Sequence, residues 1–280
     1  MPKDTQFTGR VKRINSLILQ ALIPQAFIPW IIPFLFILIW FTASENQVFP
    51  SYLVPHPFDI AKTGYFYIFG KTGEIPFSGR FLQDALSSLN RVFLGFFLSA
   101  VLGIPLGIVS GRVKNVHRLL STSINGLRAV PGISWLPLAL VWFGIGIKTT
   151  VFLIASASFF PVYLNAVSGS RQVNPLLLQA GAMMGVSSTR GIFHILIPAA
   201  MPHLVTGLRL GLGISWAYLV LGELTGVPRG LGAVIMDARM IGRIDIIIVG
   251  IIIIAALGRA SDLLLCILLK LCFKSARRIM

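Results

Sequence analysis

Few side chains in this sequence are equipped for chemistry, and their spacing restricts what they can do. The run Trp142-Phe-Gly144-Ile-Gly146-Ile147-Lys148-Thr149 is the nearest approach to a nucleotide site. A phosphate-binding loop needs glycine directly before its lysine and another five places earlier, so that backbone amides curl around the phosphates. Ile147 and Trp142 hold those places. A dinucleotide fingerprint fails as well: its third glycine would fall on Thr149, and no strand precedes the run. The chain is therefore expected to hold no cofactor of its own. No His, Cys or carboxylate pair at metal-ligand or acid–base spacing lies within an apolar run, which argues against a membrane-embedded enzyme. His56, set between two prolines, reads as a loop residue. Cys266 and Cys272 are six residues apart and point to different helix faces, against a disulfide or a metal site.

What remains is charge in expensive places. Arg128, Arg209, Glu223, Arg259 and Asp262 all fall in or at the ends of apolar runs. A charge inside a span must find water, a partner or the headgroups. Arg259 and Asp262, three apart on a helix, are expected to neutralise each other. Arg209 has two readings: it snorkels to the cytoplasmic headgroups, or it lines the entrance of a path used by anions.

Composition sets the surroundings. Of 280 residues, 55% are hydrophobic and only 12% charged, and the mean hydropathy is +0.84. No soluble core hides that much apolar chain, so an all-α integral membrane protein is expected. A net charge of +15 would suggest nucleic acid in a soluble protein, but the placement of the basic residues speaks for membrane lipid. They cluster at Lys3, Arg10, Lys12 and Arg13; at Arg112, Lys114 and Arg118; at Arg171 and Arg190; and at Lys270, Lys274, Arg277 and Arg278. The connections between these clusters carry mixed charge, as in Glu45, Asp59, Lys62 and Asp84. This is the positive-inside pattern, with six spans and both termini cytoplasmic. The N-terminal apolar run lacks a small-x-small cleavage site and reads as a retained span.

In order, residues 1–25 form a cytoplasmic N-terminus with an interfacial helix over Ile14–Gln25, and residues 26–86 hold the first span and an external loop with a short helix from Pro57. Residues 87–272 form the core, with five spans, and 273–280 a basic tail. The second span (about Ser88 to Ser110) has Gly95, Ser99, Gly103, Gly107 and Gly111 four apart, a face for close helix packing within the chain. The third (about Leu120 to Phe143) is interrupted by Arg128, Pro131, Gly132 and Pro137, so a broken helix is expected. Broken helices in a bilayer sit against protein or a water-lined cavity, which makes Arg128, Pro131 and Trp135 candidates for a permeation path, with Arg209 and Glu223. The fourth span covers about Thr150 to Val167. The fifth, about Leu204 to Glu223, has a second small face at Gly207, Gly211 and Ser215. An external connection with short helical character leads to the sixth, about Ile244 to Leu269.

Between spans four and five lies Leu176 to Pro202, Gly-punctuated and moderately polar. Its spacing, Gln179-Ala180-Gly181, then Gly185, then Ile195, Ile197 and Pro198, resembles the EAA motif of ABC importer permeases. Gln179 stands in place of the motif's acid. Ordered blocks elsewhere, among them Leu127-Arg-Ala-Val-Pro131, Trp142-Phe-Gly-Ile-Gly146 and Thr206-Gly-Leu-Arg209, look like permeases of the nitrate, sulfonate and taurine group, the aliphatic sulfonate permease above all. The resemblance covers about Ser87 to Leu269. It implies the MetI-like ABC importer permease fold, with a cytoplasmic coupling helix at about 172–192 docking on an ATPase. The implied partners are two ATPase subunits carrying ATP and Mg, a second permease copy, and a periplasmic or lipid-anchored solute-binding protein. The implied cargo is a small oxyanion, an alkanesulfonate first, with nitrate, bicarbonate, taurine or a thiamine precursor as alternatives. An ion-gradient-driven secondary transporter is the competing class; it would want midplane acids and paired broken helices in related halves, and no internal repeat is visible.

Overall fold

The computed structural model describes residues 28–273 apart from 72 and 75, and every regular element among them is helical. The interfacial helix expected over Ile14–Gln25, the start of the first span and the basic tail lie outside the described residues. The chain divides into two compact units, Met1–Ile60 and Ala61–Met280. In the first, α1 (Ile28–Glu45) is apolar up to its last turn, which carries Thr42, Ser44 and Glu45, and His56 stacks on Phe58 and meets the edge of Phe41. The loop histidine is thus held by rings. α2 (Pro57–Phe69) begins at a proline whose missing N–H costs nothing in a first turn.

The second unit is built around α6 (Ile147–Gln172), with α3 (Phe81–Arg112) along one side and α8 (Ser188–Glu223) along another. Glycine makes this packing possible. A Cβ on Gly107 would stand 2.5 Å from the Ala166 Cβ and 2.7 Å from the Tyr163 carbonyl oxygen. Gly95 and Gly103 meet Ile154 and Val162 in the same way, and Gly111 meets Ser170. On the other side, Gly207 meets Asn165, Gly211 meets Val162, and Gly222 meets Thr150. Both small faces therefore serve contacts within the chain, where backbones must approach closely because lipid supplies no hydrophobic drive.

The third apolar run is broken as expected. α4 (Lys114–Ala129) and the following segment, a 3-10 turn (Gly132–Trp135) leading into α5 (Leu136–Phe143), meet at an angle of 88°. Pro131 forces the break, since a proline drives the preceding residue out of the helical region, and Val130 is extended. Pro137 breaks nothing. It lies in the first turn of α5, where no partner is lost.

Two helices complete the unit: α9 (Leu231–Met240), in the expected connection, and α10 (Ile244–Cys272). Among the described residues four helices are long and apolar enough to cross a membrane, five if the bent pair counts as one span. The apolar helix Trp30–Glu45, where a further span was expected, is shorter.

Candidate functional site

Residues 174–202 form a platform at one end of the second unit. Asn174 Oδ1 accepts the Leu176 N–H at 2.9 Å and Pro175 opens α7 (Pro175–Met183), a strong helix start. The helix ends in a Schellman turn: the Gly185 N–H donates to the Ala182 carbonyl at 3.0 Å, and the Val186 N–H to the Gly181 carbonyl at 3.0 Å. Gly185 has φ +80°, the left-handed conformation such a turn needs at this position.

The next helix, α8, opens with one regular turn and then a π turn, Ile192–Leu196, in which the Ile197 N–H reaches the Ile192 carbonyl. The cause is Pro198. It has no N–H for the residue four back, and its ring crowds that carbonyl, so the ladder widens by one residue. The helix continues through Pro198, which shifts its register without ending it.

Ile195 comes down on Gly181, where an added Cβ would be 2.5 Å from its Cδ1. The two halves of the 179–198 spacing thus touch within the chain. Ile197 packs beneath them against the Leu196–Ala200–Met201 cluster. Gly185 shapes the turn, with nothing within 4 Å of an added Cβ, and Gly181 seats the clamp, its close approach being to Ile195 of this chain. What α7 leaves outside is Gln179, Ala180 and a set of large apolar side chains, with Met183 91% and Met184 84% exposed and Leu176 and Leu177 beside them. A patch of this kind on a short helix marks an interaction surface, and unbranched methionines adapt readily to a partner.

Three of the five path candidates meet at one place. Arg128, Pro131 and Trp135 line a cavity of about 600 Å³ between the α4–α5 bend, α6 and α8. Its other walls include Phe152, Ser156, Phe159, Phe160 and Tyr218, with the aliphatic Leu164 and Ile214 among them. The bend seats itself through Gly132, where any Cβ would strike the Tyr218 ring. The sequence reading missed these walls, though Phe152, Ser156 and Phe160 recur at helical spacing. The result is a largely apolar chamber, with aromatic rings on part of its wall and one cation in its lining.

The other two candidates lie elsewhere. Glu223 is fully buried: its Oε1 accepts from Arg91 Nη1 and, at 2.8 Å, from Ser88 Oγ, and its Oε2 accepts the Gly232 N–H at 2.8 Å. Gly230 and Gly232 have no side chains, so their loop folds directly over the carboxylate. Asp84 belongs to the same network, accepting from the Gly230 N–H and from Tyr67 Oη at 3.2 Å each. Burial first, and then the Asp84 carboxylate, hold the Tyr67 hydroxyl far above the usual phenol range, so it stays a donor. Glu223 therefore closes a structural joint and does not line the Arg128 cavity. Asp84, Ser88 and Arg91, at helical spacing on α3, were the available signal for it.

Arg209 neither snorkels free nor joins Arg128. Its Nε and Nη2 grip Asp262 at 2.8 and 2.9 Å, and Arg259 Nη1 adds a bond to the same carboxylate at 3.1 Å. The expected Arg259–Asp262 neighbours are present, but the bidentate partner is fifty-three residues away in the chain.

The family profile described as "Binding-protein-dependent transport system inner membrane component" matches residues 103–271. A Bacillus subtilis protein named for aliphatic sulfonates transport is 34% identical over 83% of this chain and 81% of its own length. The taurine transport system permease protein of Escherichia coli is 32% identical over 80% of this chain and 81% of its own. Among solved structures, a chain of the inward-facing MetNI methionine ABC transporter superposes with TM-score 0.56 at 19% identity, covering 68% of this chain and 96% of that one. That likeness concerns the fold.

Proposed function

Because the chain belongs to the binding-protein-dependent inner-membrane transport components, among permeases of the sulfonate, taurine and nitrate group, and is a multi-pass protein of the cytoplasmic membrane, we propose that it is the six-span, translocating subunit of an ATP-driven importer. Both termini lie in the cytosol. Two copies enclose the path, each docks one ATPase subunit carrying ATP and Mg, and a solute-binding protein delivers cargo from outside. The observation that carries this reading is the exposed apolar face of α7, mounted on the Gly185 turn and clamped by Ile195 over Gly181. A rigid lever with an unsatisfied apolar surface suits transmission of a partner's movement to α8 and to the cavity wall that α8 supplies. ATP-driven closure of the ATPases draws the levers together and opens the path outward; hydrolysis returns it.

The cargo that suits the chamber is an alkanesulfonate: Arg128 meets the anionic head, and the aromatic walls take an apolar tail. Nitrate and bicarbonate have no tail, and taurine brings an ammonium with no carboxylate on these walls to meet it.

The test is uptake of labelled methanesulfonate by cells carrying this chain with its ATPase and binding protein. Uptake should stop when ATP is depleted with the ion gradient held, and Met183→Glu with Met184→Glu should abolish ATPase co-purification while leaving the chain folded. Uptake that persists on the gradient alone would make it a secondary transporter.

A further inference from the structure

Arg112, the last residue of α3, has a guanidinium edge with nothing to hold. Its Nε and Nη2 are closed to solvent and make no hydrogen bond. These two N–H groups are the pair that engages a carboxylate or phosphate through parallel bonds. The chain uses the same edge elsewhere: Arg209 Nε and Nη2 hold Asp262 at 2.8 and 2.9 Å, and those of Arg243 hold Asp245 at 2.8 and 2.6 Å. Buried charged donors without acceptors are costly, so an acceptor is expected.

The described residues supply none. No Asp or Glu occurs between Asp84 and Glu223. Asp84, Glu223, Asp245 and Asp262 are already bonded elsewhere, as described above. What Arg112 does border is a cavity of about 410 Å³ between the end of α3, α7 and the first turns of α8. Ser187 and Ser188 also line it, exposed and without a hydrogen bond from their hydroxyls to the described residues. Val109, Leu178 and Ile195 make its walls apolar, and no acid lines it. A small turn of the arginine on its flexible stem would bring the idle edge to this space.

We infer that this cavity is an oxyanion site, taking a tetrahedral phosphate, sulfate or sulfonate group on the Arg112 edge and the two serine hydroxyls. The substituent of that group lies on the apolar walls. α3 has 32 residues, about 48 Å of helix against a hydrocarbon core of about 30 Å, so its end reaches headgroup depth. Both a phospholipid headgroup and a free small oxyanion are available there. Occupancy ties α7 to α3. The site is separate from the Arg128 chamber, and its binding is read on the isolated chain, so it stands or falls apart from the importer reading.

The experiment uses the full chain, purified in detergent and stripped of lipid. Calorimetric titration with sodium sulfate at constant ionic strength probes the free source, and native mass spectrometry with phosphatidylglycerol, against phosphatidylcholine, probes the headgroup. One equivalent should bind in at least one arm, and the arm that binds identifies the source. Arg112→Gln should weaken it about tenfold or more, the scale of a lost charge-assisted pair. Arg112→Lys, which keeps the charge without the fork, should lose most of that affinity, while Arg118→Gln should not change it. Arg112→Lys also decides the matter if Arg112→Gln fails to fold. The inference is overturned if neither probe binds, if binding survives both Arg112 variants, or if Arg118→Gln weakens it equally. It is likewise overturned if the only loss in the Arg112 variants is ATPase co-purification, which would assign the edge to a partner's carboxylate.

Discussion

Gly185 is exposed and a Cβ there would touch nothing, yet the turn after α7 depends on it. At φ +80° a β-branched residue pays about 1–2 kcal/mol, whereas asparagine tolerates the left-handed region. Gly185→Val should therefore loosen the platform, seen as faster limited proteolysis near residues 183–187 and weaker ATPase co-purification, and Gly185→Asn should stay close to the parent. If the two variants lose co-purification equally with proteolysis unchanged, the glycine instead provides clearance in the partner's groove. The position of this residue was legible in the motif spacing; its reason was not, because spacing alone does not separate a turn requirement from a close approach. Glu223 and Arg209 show the same limit in reverse. Both were flagged as charges in apolar surroundings, but each is satisfied by a residue far off in sequence, Arg91 and Asp262, and that pairing exists only once α3, α8 and α10 are assembled.

α6 carries no hydrophobic stripe of its own, and what fixes it is the pair of small-residue faces that α3 and α8 turn towards it. Gly107 is a strict test, since the Ala166 Cβ and the Tyr163 carbonyl, a backbone group, would both lie within 2.7 Å of an added Cβ. Gly107→Leu should push α3 off α6 and cost about 1–3 kcal/mol, the usual range for overpacking. Gly126→Ala on exposed α4, where nothing lies within 4 Å, should be neutral or gain up to about 1 kcal/mol. Thermal unfolding of the detergent-solubilised chain separates them; equal midpoints would mean the two helices do not pack this closely. The ladders were plain in the sequence because their four-residue spacing maps directly onto one helix face. The π turn before Pro198 was not, since the proline could equally have ended a helix, and only the continuation of α8 through Pro202 shows which accommodation the chain takes.

The side of the membrane proposed for α7 rests on the ends that the packing brings together. Gly111 at the end of α3 abuts Ser170 near the end of α6, and Gly169 abuts His203 in the early part of α8. Arg112, Lys114, Arg118, Arg171 and Arg190 are consequently gathered at one end of the bundle with no acid in their stretch of chain, and α7 lies among them. Asp84, Glu223 and α9 belong to the opposite end, where the charge is mixed. In the orientation we propose, a membrane that retains Lys and Arg on its cytoplasmic side has α7 inside and α9 outside. With Cys266→Ser and Cys272→Ser as background, Met183→Cys should react with a membrane-impermeant maleimide only in inside-out vesicles. Met240→Cys, whose parent side chain is 76% exposed, should react in intact spheroplasts. The reversed pattern would place α7 beyond the reach of any cytosolic ATPase, and no rearrangement of the individual helices would then rescue a nucleotide-driven lever.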